Sequence, residues 1–516
     1  MSLCFGLHKS ALHGRSHREK LVLCCAVLVL FAGRPSLAAG QDAEAQSRLA
    51  SQLERVLTLP RQARLTLGAR VVELPGGRVL YDHQGSEPLI PASNMKLVAM
   101  AAAIDQLGGD FKFQTVLAVR NLDLVVIGGG DPTFGDERLA DARGDPITAV
   151  FQEWAEALKS AGVRQIPGNI VVDDSIFERR FTHPQWPSDQ FQSWYEAPIG
   201  GLNFNANCIE AVVSPTQPKQ RATIRLVPDN DFVKIRNRTT TGKTQTVVIS
   251  RARDSDSLVL SGSVSREGRL QPITIRDPGM YFGSVLKTAL AAEGIQVGGE
   301  VVREKVRLAN GRLPDDCNIV AVHHTPLADA LQRCGKDSLN MMAEGLFKML
   351  GAHRSGLGSW ESGRSTIHAF LRHVGVPADQ VTVSDGSGLS RENRLSAAAA
   401  TKILAYMFQG SPENFELFRD SLSVSGEDGT LRRRLRKGEA AGRIFGKTGT
   451  INGVRTLSGF VHTVSGRWLA FAFYYNYSGR LPSPKPRMDQ ACRLLVHWSD
   501  DSTSRPTTTQ AVESAP

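Results

Sequence analysis

Apolar positions change their period along this chain, and the changes divide it. From Leu65 to Glu73 and from Arg78 to Asp82 apolar and polar residues alternate around Pro75-Gly76-Gly77, the pattern of two strands joined by a tight turn. The alternation then stops: Met95 to Leu107 is almost unbroken helix-forming apolar sequence closed by Gly108-Gly109, which predicts a helix buried on every side. Pro91 ends the extended segment before it, and Ser93 is expected to cap the helix. Short period-two runs follow between Gly, Pro and Asp turns, at 116–119, 122–127, 169–173, 223–227, 245–250, 257–263 and 273–276. One amphipathic helix, Thr148 to Ala161, interrupts them. Nearly two hundred residues of this character are too many for a loop. One or two β-rich domains are therefore expected over residues 111–319, inserted into a domain made of 45–110 and 320–499.

Helical period returns after His324. A helix capped by Thr325, with Pro326 in its first turn, is expected to stop at Gly335, and a second to run from Leu339 to Leu350 and stop at Gly351. Lys336-Asp337-Ser338-Leu339-Asn340 is the tip between them, where Asp337 or Ser338 would serve as a cap. Helices near Ser359–Val374 and Ser396–Gln409 flank a tight Asp385-Gly-Ser-Gly-Leu-Ser-Arg391 segment. Strands follow at 442–450, 456–463 and 468–476, then a helix over 485–498, and the Ser/Thr/Pro-rich tail from Asp500 has the composition of a disordered segment.

Residues 1–38 read as an export signal: a basic stretch, an apolar core from Leu21 to Ala32, and Ser36-Leu37-Ala38 as a small-residue cleavage site. A periplasmic or otherwise extracytoplasmic protein is expected, touching the membrane only if that segment stays uncleaved. The segment's five Lys or Arg and one Glu account for +4 of the chain's +10, leaving a mildly basic +6. The basic run from Arg432 to Lys437 lacks interleaved aromatics and reads as a solvated face, so no nucleic-acid partner is expected. Cys208, Cys317, Cys334 and Cys492 remain after the signal, free to pair in three ways or to stay as thiols. Their spacing has no metal-binding pattern, and nothing in the residues sets an oligomeric state.

The candidate chemistry begins one turn inside the apolar helix. Ser93 and Lys96 fall on one face, and a hydroxyl becomes a nucleophile when a base takes its proton, which a lysine does once burial has removed its own charge. The same spacing recurs at Ser284 and Lys287, but there the apolar spacing is that of an ordinary amphipathic helix with an exposed lysine. Gly446-Lys447-Thr448 lacks the upstream glycine and the following helix of a phosphate loop, and Gly128-Gly-Gly-Asp131 reads as a turn. Lys447, Thr448 and Thr450 instead suit an edge strand lining a cleft and aimed at an anion. Ser93-x-x-Lys96, Ser338-x-Asn340 and Lys447-Thr448-Gly449, in that order, form the triple signature of penicillin-binding proteins and serine β-lactamases.

With these motifs the chain resembles the low-molecular-mass class C penicillin-binding proteins, D-alanyl-D-alanine carboxypeptidases and endopeptidases of the bacterial envelope, from about Gln46 to Trp498. The resemblance extends to Gly129-Gly-Asp-Pro132, Gly168-Asn-Ile-Val-Val-Asp-Asp174, Asp385-Gly-Ser-Gly-Leu-Ser390 and Asp428-Gly-Thr-Leu-Arg432, and to the 245 residues between Ser93 and Ser338, which a plain β-lactamase does not have. It implies an α+β fold, a β-lactamase/transpeptidase-like domain of antiparallel sheet flanked by helices with β-rich domains inserted between the first two motifs. By motif it implies Ser93 as nucleophile, Lys96 as its base, and Ser338 as proton relay. Asn340 would hold the acyl-side peptide, and Lys447, Thr448 and Thr450 the terminal carboxylate. The implied partners are peptidoglycan peptides and β-lactams, with no metal or organic cofactor. A β-lactamase or esterase of the same fold, and a wall-binding protein of low turnover, are alternatives that share these residues.

Overall fold

Two alternating stretches from opposite ends of the chain close into one sheet. In the computed structural model, which describes residues 37–59, 65–308, 310–479 and 481–499, strand Leu65–Leu74 pairs antiparallel with Trp468–Tyr477 along its whole length. Arg78–His83 completes the hairpin on one edge, while Val454–His462, Ile444–Ile451 and the short Ser423–Val424 extend the sheet on the other. Leu469 to Tyr475 are all buried, because the helix Ala397–Gln409 packs against this central strand. Ser423–Val424 reaches only Gly446 and Phe445, so from Lys447 onward the strand Ile444–Ile451 has no strand partner on that side among the described residues. The expected edge strand is thus an edge over the half that carries the motif. The expected export signal up to Ser36 and the tail from Asp500 lie outside the described residues.

The apolar helix spans Met95–Leu107, with Met95 to Ile104 buried throughout. At about 1.5–3 kcal/mol for each large side chain so buried, the residues Leu97, Met100 and Ile104 explain why the run is apolar all round. Ser93 does not cap it. Ser93 lies inside a 3-10 turn, Ala92–Asn94, that leads directly into the helix, and no side-chain cap bond forms at either junction.

Three other sequence expectations shift. Thr325 closes the strand Asn318–Pro326 instead of capping a helix, because its hydroxyl is drawn 2.5 Å from the buried carboxylate of Asp131. The helix after it is Leu327–Lys336 and passes through Gly335; a Cβ there would stand 1.9 Å from the Ser421 carbonyl, so this glycine permits close approach instead of a stop. Gly351 has the same role inside the helix Asn340–Ser355, against Ser362, and the true stop is Gly356 at φ +80°.

Between the first and second motifs the chain forms a five-stranded sheet ordered 301–303, 170–173, 123–127, 112–120 and 318–326, with smaller sheets beyond it. Phe134, Phe151, Phe204 and Phe282 make its core, with Phe151 and Phe204 stacked at 5.0 Å. The strands Cys208–Ser214 and Lys234–Thr241 and the helix Glu137–Arg143 carry no clear period in the sequence. This region also feeds the core around the buried helix: Phe113, Phe177, Trp186 and Ile199 pack into it. The four cysteines Cys208, Cys317, Cys334 and Cys492 are all free. No helix among the described residues is long and apolar enough to cross a membrane.

Candidate active site

The 3-10 turn exists because its neighbours hold it. Ala92 takes φ +46°, a left-handed conformation that alanine adopts at a cost, and Gly388 comes so close that a Cβ would stand 1.8 Å from the Ala92 carbonyl. Asn94, wholly buried, donates to the Lys447 carbonyl at 3.1 Å and to Thr456 Oγ1 at 2.6 Å, and Thr456 donates to the Pro91 carbonyl at 2.9 Å. The serine turn is thereby fastened to the edge strand. Gly449 lies at this joint, where a Cβ would fall 2.1 Å from Thr456 Oγ1 and 3.1 Å from Asn94 Nδ2, which gives the third motif's glycine a steric reason.

Lys96 has no exposed surface. Its Nζ lies 2.6 Å from Asn340 Oδ1, 2.9 Å from the Ser387 carbonyl and 2.9 Å from Ser93 Oγ. Burial pushes its pKa down to about 8, opposed by the neighbouring carboxylates of Asp385 and Glu344. A neutral amine has two N–H donors and one lone pair, whereas an ammonium has three donors. Asn340 Oδ1 and the Ser387 carbonyl are acceptors only, so in the neutral form they take both N–H groups and leave the lone pair for the Ser93 hydroxyl proton. Lys447 is also fully buried and is pushed well below the ordinary lysine value by burial first and by the like charge of Lys96 second.

Ser338 holds φ +61° at the tip between two helices, and its Oγ accepts from Lys447 Nζ at 2.7 Å. The tip is pinned by ion pairs of Asp337 with Arg333 and Arg138, and of Lys336 with Asp428. Asp337 therefore serves the ion pairs, and neither it nor Ser338 caps the next helix, whose N-cap position is Leu339. Asn340 is engaged at both ends, since its Nδ2 donates to the Tyr195 carbonyl at 2.8 Å while Oδ1 takes Lys96. Thr448 Oγ1 donates to Thr430 at 2.9 Å, and Thr450 is exposed on the open edge. Ser93, Ser338, Asn340, Thr448 and Thr450 line a single cavity of about 900 Å³, with Trp194 and Tyr195, from the stretch between the first two motifs, on its wall. All the sequence-identified residues converge here, Lys96 and Lys447 from behind the wall.

Residues outside the three catalytic motifs support the site. Glu344 accepts from the amides of Ser387 at 2.8 Å and Gly386 at 3.2 Å and from Trp360 Nε1 at 2.9 Å, which fixes the carbonyl that Lys96 uses. Asp385 accepts from the amides of Gly388 and Ser390, from Asn393 Nδ2 and from Trp186 Nε1. Burial and the charge of Asp385 raise the pKa of Glu344. The polar positions 340, 344 and 348, spaced by four in an otherwise apolar helix, are the sequence signal for it.

The family described as D-Ala-D-Ala carboxypeptidase 3 (S13) matches residues 49–495 of this chain. The chain belongs to that family. Membership sets its reaction class, D-alanyl-D-alanine carboxypeptidase activity, on the α+β fold described above. It is 31% identical over 504 residues to the D-alanyl-D-alanine carboxypeptidase of Actinomadura sp. (strain R39), covering 92% of this chain and 88% of that protein. With D-alanyl-D-alanine carboxypeptidase DacB of Haemophilus influenzae it shares 23% identity over 417 residues, 77% of this chain and 83% of the other. Among solved structures, penicillin binding protein 4 (dacB) from Haemophilus influenzae superposes with a TM-score of 0.70 at 22% identity, covering 87% of this chain and 99% of that one. That likeness carries the fold.

Proposed function

We propose that this S13 family member is an extracytoplasmic serine peptidase of peptidoglycan that works through an acyl-enzyme on Ser93 and is acylated by β-lactams in the same way. The observation that carries the reading is the environment of Lys96, buried, facing two pure acceptors and 2.9 Å from Ser93 Oγ. Neutral Lys96 takes the proton of Ser93 as Oγ attacks the carbonyl carbon of a D-Ala-D-Ala bond. Main-chain amides of Ser93 and Thr450 hold the oxyanion. Collapse breaks the C–N bond, and the proton reaches the leaving amine through Ser338, poised by Lys447. D-Alanine departs, and water, deprotonated by Lys96, releases the shortened peptide from Ser93. Lys447, Thr448 and Thr450 bind the terminal carboxylate, and Asn340 exchanges the Tyr195 carbonyl for the acyl-side peptide.

The structure of the Haemophilus influenzae protein in complex with a β-lactam, TM-score 0.65 to this chain, supports the β-lactam part of the reading. The domain layout follows the same logic. Residues 45–110 and 320–499 carry the motifs, and residues 111–319 are an insert that lends Trp194 and Tyr195 to the cleft. The extracytoplasmic location rests on the N-terminal 38 residues and on the wall polymer as substrate. Purified protein should take a fluorescent penicillin on Ser93 and release D-alanine from a pentapeptide muropeptide, read by mass spectrometry. Labelling that survives Ser93→Ala would sink the reading.

A further inference from the structure

Behind the cavity wall lies another lysine with no exposed surface. Lys348 follows Asn340 by two turns on the helix Asn340–Ser355, and Glu344 stands between them on the same face. Lys348 Nζ donates to the Arg180 carbonyl at 2.7 Å, lies 3.6 Å from Glu178 Oε1 and stands 3.7 Å from the centre of the Trp360 ring. A carbonyl, a carboxylate and a π face all accept, and none of the three offers a proton. That geometry suits an ammonium, although burial pulls Lys348 down to about 8 as it does Lys96. What Lys96 has in addition is the Ser93 hydroxyl.

The indole beneath that ammonium faces the catalytic lysine's own support. A cation over the ring polarises the indole and strengthens its N–H as a donor. Trp360 Nε1 donates to Glu344 Oε2 at 2.9 Å, where the Gly386 amide also donates at 3.2 Å, and Glu344 Oε1 takes the Ser387 amide at 2.8 Å. Three donors meet this carboxyl, which fits its ionised form; a protonated one would turn its O–H toward donors. Ser387 then presents its carbonyl to Lys96 at 2.9 Å. Trp360 is held from the other side as well, its backbone amide donating to Glu178 Oε1 at 3.1 Å and its ring meeting His183 edge-on at 5.2 Å. The stretch from Glu178 to His183 thus clamps Lys348 and Trp360, neither of which lines the cavity.

We propose that Trp360, with Lys348 seated on its ring, is a positioning residue for acylation: its N–H keeps Glu344 a carboxylate beneath Ser387, and so fixes both the carbonyl that Lys96 uses and the negative charge beside it. The inference rests on the reading of Lys96 as base given above. Facing Glu344 are Lys96 from the apolar helix, Cys334 from the helix before, Asp385 from the tight loop and Lys348 from its own helix. Facing Lys348 from the clamp are Glu178, Arg180 and His183. Without the indole N–H, Oε2 is open to a proton; Glu344 then neutralises, and Lys96 loses an anion that favours its ammonium.

The test is the rate of penicillin acylation of Ser93 against pH, with melting temperatures alongside, in wild type, Trp360→Phe, Glu344→Gln and the double variant. Trp360→Phe keeps an aromatic face under Lys348 and removes the N–H. It should lower the midpoint near pH 8 by about half a unit, the direction expected of Glu344→Gln, and cut the plateau rate about tenfold as the Ser387 carbonyl loosens. In the Glu344→Gln background it should move the midpoint no further. Lys348→Met keeps the bulk and removes the charge, and should move the midpoint the same way, which keeps the proposal testable if Trp360→Phe does not fold. A midpoint unmoved in both variants, whatever the melting temperature does, overturns the proposal and leaves the Lys96 reading standing. So does a shift by Trp360→Phe that is as large in the Glu344→Gln background as in wild type. A wild type that is not acylated, or that shows no midpoint near 8, overturns the Lys96 reading itself.

Discussion

Ser93–Lys96 and Ser284–Lys287 share a spacing and a helical setting, and Ser284 is the more buried of the two serines, so neither spacing nor burial of the hydroxyl separates them. Their lysines do. Lys96 ends in the interior against Asn340 Oδ1 and the Ser387 carbonyl, brought from 244 and 291 residues away. Lys287 ends at the rim of its helix, its side chain 31% exposed, with Nζ 2.6 Å from the Gly299 carbonyl and 4.0 Å from Glu300. Water reaches the second amine and not the first. A general base is made here by exclusion of solvent and by two acceptors that use up the N–H groups, neither of which lies in the Ser-x-x-Lys stretch itself.

The strongest way to break this contrast is to delete each pair. Ser93→Ala should abolish penicillin labelling, and Lys96→Ala should slow acylation by about 10⁴-fold or more. Ser284→Ala and Lys287→Ala should leave the rate within about twofold; a comparable loss from either would mean that the second pair had been misread. Next comes the joint between the serine turn and the edge strand. Gly449→Ala places a Cβ 2.1 Å from Thr456 Oγ1, and the resulting shift should cost about 10²-fold in acylation rate with the melting temperature changed far less.

The pH profile sharpens the comparison further. Neutral Lys96 is the reactive form and its pKa is held near 8, so acylation should rise with pH through about 8 and level off above it. The titratable groups around this amine are Cys334 from one helix, Glu344 from the next, Asp385 from the tight loop and Lys447 from the strand. Glu344→Gln removes an anion that favours the ammonium, so the midpoint should move to lower pH by roughly half a unit. A purely structural role for Glu344 would change the rate and leave the midpoint in place. The smallest effect is expected at the rim: Lys287→Ala should alter stability by no more than about 0.5 kcal/mol in denaturant unfolding, as for other exposed ion pairs.

The hairpin Leu65–His83, the helix Met95–Leu107 and the closing strands were legible because their periods of two, or their unbroken apolar character, admit one arrangement each. Gly335 and Gly351 misled as helix stops, since a glycine needed for close packing looks the same in sequence as one needed for a turn. Thr325 misled because its partner, Asp131, lies 194 residues away. Asn94 and the carbonyl of Ser387 had no signal, one being an amide inside a motif and the other a backbone atom. Glu344 did have one, a buried charge in step with Asn340.

By itself the sequence determined the three motifs, their order and the kind of element that carries each, because local period and turn chemistry act over a few residues. Only the tertiary structure decided where Lys96 puts its two N–H groups and what keeps water away from it. Those depend on burial and on partners hundreds of residues apart, and desolvation of an amine is a property of everything packed around it.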